Sequence, residues 1–170
     1  VMRVEPSLRF LPLSDGKQPL FMWATIPFFK IISDPLIASR VLSGLSGLAT
    51  IAGIALASHL LFKNTRLTII SACLATVLPY LVFFNRLALV DSLLTAFLVW
   101  TFCFSYLSFL HNRFDFAMLA GFALGAAWLT KSPAIFAFIL LPLNFLVNPK
   151  PKFIFYLLAT YIIAFAIYNI

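Results

Sequence analysis

Six apolar runs follow one another from Leu36 to Ile170, at residues 36–62, 67–84, 91–110, 116–130, 134–147 and 153–170, with only short polar breaks between them. A hydrocarbon core of about 30 Å takes about 20 helical residues to cross, and every backbone polar group inside it must be satisfied within the segment. Runs of this length and spacing predict an all-α polytopic membrane protein, with residues 36–170 forming a bundle of about six transmembrane helices. The fifth run, at about 14 residues, is short for a crossing and is expected to be tilted or partly covered by protein.

The balance of residue types agrees. The chain is 63% hydrophobic and 10% charged, with 20 Phe and a mean hydropathy of +1.05. Soluble domains carry about 25% charged residues. A net charge of +7 would suit nucleic acid only if the cations shared one soluble face. They are instead scattered through short loops, so no nucleic-acid partner is expected. Cys73 and Cys103 lie inside apolar runs without a CxxC or Cys/His cluster, which predicts packing residues and neither a disulfide framework nor a zinc site.

Within the spans, small residues recur every fourth position, at Ala49, Gly53 and Ala57 and again at Ala117, Gly121 and Gly125. That spacing predicts close helix–helix approach. Pro79 predicts a kink or an early stop near the end of the second run. Residues 1–35 form a separate juxtamembrane segment. Its apolar part, 18–33, is interrupted by Pro27 and too short to cross, so an interfacial helix is expected, with Trp23 at headgroup level.

Orientation follows from the loops. Lys63, Arg66, Arg113, Lys150 and Lys152 fall on one side, and Arg86 and Lys131 on the other. The excess of cations marks the cytoplasmic side. Residues 1–35 then lie outside, in a multi-pass protein of the cell membrane (inner or plasma membrane).

With this parity, Asp15, Lys17, Arg86, Asp91 and Lys131 all fall at the extracytoplasmic surface. Ionisable groups at membrane depth are costly and therefore functional candidates. Each also has a simpler reading: Arg86 as an interfacial anchor, and Asp91 and Lys131 as charges that suit a helix N-terminus and C-terminus. Together, two or three cations at an interface suit the phosphate or pyrophosphate of a lipid carrier. A carboxylate beside them can hold a sugar hydroxyl, orient a cation or act as base.

The motifs resemble those of lipid-dependent GT-C glycosyltransferases, the bacterial relatives of protein O-mannosyltransferases and of the aminoarabinose transferase. DGKQPLFMWATIPFFK followed by DPLIASRVLSGLSGL is similar to the region after that family's first luminal loop, with Lys17, Pro19, Leu20, Trp23 and Arg40 in matching positions. LPYLVFFNRLALVDSLLTAF resembles the family's Arg-x-x-x-x-Asp turn, carried here by Arg86 and Asp91. GFALGAAWLTKSPAIF resembles its Gly-x-x-x-Gly helix and Thr-Lys-x-Pro break, carried by Lys131. The resemblance spans residues 14–140, with Gln18 where the family often has Pro.

The resemblance implies an inverting membrane glycosyltransferase that moves a sugar from a polyprenyl-phosphate donor to a protein, lipid or glycan acceptor on the extracytoplasmic face. Lys17, Arg86 and Lys131 would bind the donor phosphate, and Asp91 would have an orienting catalytic role. The family's acidic pair is not recognisable before Asp34, which places the principal base upstream of Val1. The chain then reads as an internal fragment, inactive alone. No cofactor is indicated beyond the lipid-linked sugar, with a divalent cation as a further candidate. The alternative is a lipid-carrier flippase or transporter subunit, which would place its charges nearer the midplane and carry internal repeats.

Overall fold

The computed structural model describes residues 18–143 and 153–169, all of them helical or in short connections, with no strand among them. The elements are α1 (Leu20–Thr25), α2 (Pro35–Phe62), α3 (Thr65–Val77), α4 (Pro79–Arg86), α5 (Val90–His111), α6 (Phe114–Thr130), α7 (Ile135–Leu140) and α8 (Phe153–Tyr168). A 3-10 turn at Ile26–Lys30 extends α1, and turns at Ser132–Ala134 and Leu141–Leu143 flank α7. Lys17 and Asp15, and the basic pair Lys150 and Lys152, lie outside the described residues.

Local chemistry explains the boundaries. Asp34 starts α2 by accepting from the amides of Leu36 (2.8 Å) and Ile37 (3.4 Å), with Pro35 at the first helical position. Lys63 stops it in a left-handed conformation at φ 50°. Asn64 then caps α3 through the Arg66 amide at 2.9 Å. Leu78 precedes Pro79 and is extended (ψ 117°), so the second apolar run breaks there into α3 and α4, bent by 56°. The helix resumes and carries through Arg86, a position expected in a loop.

Helices α2 and α5 are each long and apolar enough to cross a membrane, and the bent α3–α4 pair makes a third candidate span. The remaining apolar helices α6, α7 and α8 are shorter. This is an all-α membrane protein. Neighbours run in a row, α3–α4 beside α2, then α5, α6 and α8, while α1 reaches both α2 and α6 at one end. Contacts fix the directions. Ala49 meets Trp100 and Gly53 meets Cys103, so α2 and α5 are parallel. Gly121 and Gly125 meet the 160s of α8 in rising order, so α6 and α8 are parallel too.

Many of the buried residues are small, beside a few large ones such as Phe109 and Leu124, and large apolar residues are common outside. Ala38, Ser43, Ala117, Ala120 and Ala127 are buried, while Leu48, Ile69, Phe122, Ile139 and Phe155 are exposed. Lipid tails are as apolar as Leu, so helices associate through close packing and interhelical hydrogen bonds instead. A Cβ on Gly121 would stand 2.8 Å from both Ile163 Cβ and the Thr160 carbonyl oxygen, and one on Gly125 would meet Ile167 at 2.8 Å. Thr160 also donates across to the Ala117 carbonyl at 3.2 Å. On the α2–α5 side the Trp100 indole donates to the Ala49 carbonyl at 3.0 Å.

Gly121→Ala should therefore force α6 and α8 apart and cost about 1–3 kcal/mol. Gly44, where an added Cβ would meet nothing within 4 Å, should gain up to about 1 kcal/mol on becoming Ala. Unfolding in detergent checks both, and a Gly121→Ala variant as stable as the parent would contradict the packing.

Candidate functional site

Four pieces of chain meet at one end of the row: the last turn of α4, the Leu87–Leu89 connection, the first turn of α5, and the break after α6. Asp91 is the second residue of α5, where a carboxylate suits the positive end of the helix dipole. Lys131 follows the last residue of α6, where an ammonium suits the negative end. The helices are antiparallel neighbours, so both favourable termini fall side by side.

The Lys131 ammonium donates to Asp91 Oδ1 at 2.7 Å. The pair is half-open, with side-chain exposures of 43% for Lys131 and 25% for Asp91. Beneath it lies an apolar floor of Leu94, Ala127 and Ala134, all buried. Lys131 itself is extended (φ −162°, ψ 140°), because Ser132 and Pro133 turn the chain into a 3-10 helix immediately after it. That kink lets the side chain reach sideways to α5 rather than continue along α6.

A cavity of about 470 Å³ opens beside the pair. Gln18, Phe21 and Met22 form one wall, residues 88–91 a second, and residues 130–132 a third. Phe21 is buried against Leu42 and Leu93, which seats α1 across the helix ends. The polar groups facing the space include Gln18, Asp91, Lys131 and Ser132, on an otherwise apolar lining. One helical turn below Val90, a nearly apolar groove of about 350 Å³ runs between α2, α5 and α6 past Leu45, Leu93, Phe97, Trp100 and Phe104.

The structure thus brings Asp91 and Lys131 into contact. Arg86 ends α4 at the same end of the molecule but is exposed, is not part of the cavity wall, and has no ion-pair partner among the described residues. Arg40 is exposed on α2, away from the cavity wall. Lys17 lies outside the described residues, directly before the cavity-lining Gln18. At the opposite end, Arg113 pairs with Asp115 at 2.6 Å, both exposed. No group of three His, Cys, Asp or Glu able to hold a metal comes together among the described residues.

Gln18 and Ser132 carried no signal as cavity residues in the sequence. Gln18 is one amide in an apolar stretch, and Ser132 reads as part of a helix break; only the tertiary arrangement sets them beside Asp91.

A double-mutant cycle on Asp91→Asn and Lys131→Met should show coupling of about 0.5–1 kcal/mol in unfolding, as expected for a partly exposed pair. Additive effects would contradict the contact.

A family profile described as dolichyl-phosphate-mannose-protein mannosyltransferase matches residues 16–169. No curated protein and no solved structure gives a match.

Proposed function

Since the chain belongs to the dolichyl-phosphate-mannose-protein mannosyltransferase family, a class of membrane glycosyltransferases, we propose that it moves a sugar from a polyprenyl-phosphate donor to an acceptor on the extracytoplasmic face. The observation that carries this reading is the Lys131–Asp91 pair at the mouth of a cavity whose remaining walls are largely apolar.

The reaction breaks the bond between the sugar's anomeric carbon and the phosphate oxygen, and forms one to an acceptor oxygen. Negative charge grows on the departing polyprenyl phosphate as the bond breaks. A fixed ammonium at that position stabilises the charge where it develops, and Lys131 has that role here. Arg86, at the same end of the bundle, offers a second, bidentate cation to the phosphate. Lys17 adjoins the cavity wall in sequence and is a third candidate contact. The groove below Val90 supplies an apolar bed for the isoprenoid chain.

Asp91 holds Lys131 in place and orients the donor or acceptor within the cavity. The acceptor's proton passes to a base supplied elsewhere in the protein. At rest Asp91 cancels the Lys131 charge, so an arriving phosphate competes with the carboxylate for the ammonium.

That competition has a kinetic signature. With the full-length protein in proteoliposomes and a radiolabelled polyprenyl-phosphate mannose as probe, Asp91→Asn should lower kcat by about 100-fold while leaving KM for the donor unchanged or lower. Lys131→Ala should lower kcat by about 100-fold, the loss of a group that stabilises charge developing in the transition state, and raise KM for the donor by up to about 10-fold, the loss of one charge-assisted contact. Variants that both match the parent would contradict the assignment. Labelled lipid that crosses the bilayer with no sugar released would favour a flippase.

A further inference from the structure

Most buried hydroxyls in this bundle bond back to their own helix, as Ser46, Thr50, Thr101, Ser108 and Thr130 do. This is the ordinary destination for Ser and Thr in an apolar helix. Others reach a neighbouring helix, as Thr160 does by donating to Ala117 and Ser58 by accepting from Ser71, and two of these, Ser43 and Ser92, go to the same stretch, Phe84–Leu89, that leads into Asp91.

Ser92, 2% exposed, donates to the Phe84 carbonyl at 3.0 Å. It sits on the first turn of α5, next to Asp91, and its partner lies on the last turn of α4. The bond therefore closes the chain across residues 85–91. The Phe84 carbonyl receives a second bond from the Leu87 amide, at 3.3 Å. The residue before α5, Leu89, provides no side-chain cap, so Ser92 does not serve the usual helix-start role. Ser43, fully buried on α2, donates to the Leu89 carbonyl at 3.3 Å. A helical hydroxyl ordinarily has its own i−4 carbonyl within reach, so its turn toward the connection is informative. Nearby, Gly47 gives up its side chain to Asn85, which would stand 2.4 Å from a Cβ there.

We propose that Ser92, assisted by Ser43, is a positioning residue of the site: the two hydroxyls clamp the α4–α5 connection and hold Asp91 in register with Lys131. The proposal rests on the transferase reading for its catalytic consequence, and on the hydrogen bonds alone for its structural one. Ser92 touches no substrate in this account. It acts through Asp91, so it affects orientation within the bound complex rather than capture of the phosphate.

Two readouts separate these layers. In proteoliposomes with radiolabelled polyprenyl-phosphate mannose, Ser92→Ala should lower kcat by roughly 10-fold with KM for the donor within about twofold of the parent. Ser43→Ala should act in the same direction and more weakly, because its bond is longer. Ser108→Ala is the control. Ser108 is fully buried on α5 but bonds to Ser105 within its own helix, and its loss should leave kcat unchanged. Independently, amide hydrogen exchange at residues 87–90 should quicken by roughly fivefold to tenfold in Ser92→Ala, the effect of one lost hydrogen bond. Exchange at residues 105–111 should stay at the parent's rate. Unchanged exchange at the connection overturns the proposal whatever the activity. Quickened exchange with an unchanged kcat overturns the positioning role. A parent that releases no sugar from the probe would count against the transferase reading, while the exchange measurement would still decide the clamp.

Discussion

Helices surrounded by lipid gain almost nothing by hiding apolar side chains from one another, so their separation is set by how closely the backbones can approach. Here that distance is governed by Gly121 and Gly125 against α8, Gly53 against Val99, and Gly47 against Asn85. Everything else is arranged around these contacts. Large residues such as Leu48, Phe122 and Ile139 are exposed, while the close helix contacts are lined by small ones. Some polar side chains bridge between elements instead of bonding within their own helix, as Trp100 does to the Ala49 carbonyl and Tyr161 to the Phe138 carbonyl.

Tight packing also sets the chemistry at one end. Because α5 and α6 are close antiparallel neighbours, the start of one and the finish of the other come within side-chain reach. A carboxylate and an ammonium, each favourable for its own helix terminus, then become partners at 2.7 Å. The pair gives the cavity a polar focus without a net charge, and in the proposed reaction the donor phosphate competes with Asp91 for the Lys131 ammonium. The apolar groove below is the bed proposed for the rest of that lipid. Charge at the helix ends and bare hydrocarbon between them are the two features a lipid-linked phosphate needs.

Much of this was legible in the residues themselves. Pro35 and Lys63 bracket the first long run, and α2 spans Pro35–Phe62. Pro79 marks the break between α3 and α4. Counting crossings put Asp91 and Lys131 at the same depth. Lateral position was not legible, because helices that are apolar all round carry no stripe to say which face meets which neighbour. The contact of Lys131 with Asp91 and the absence of Arg86 from the cavity wall are properties of that lateral arrangement. So is the place of Gln18. The continuation of α4 through Arg86 was hidden for a similar reason, since it accompanies the fit of Asn85 against Gly47, two residues far apart in the chain. Ser43 and Ser92 carry no mark in the sequence, because their partners Leu89 and Phe84 are set by the tertiary arrangement.

The central claim is that the paired charges at the end of α5 and α6 receive a lipid-borne phosphate. The most direct test is binding, without turnover, of polyprenyl phosphate and of the matching polyprenol to the protein in nanodiscs, compared between the parent and Lys131→Ala. The parent should prefer the phosphate by roughly 10-fold or more, the worth of one charge-assisted contact, and Lys131→Ala should lose most of this preference. Equal binding of the phosphate and the alcohol by the parent would contradict it.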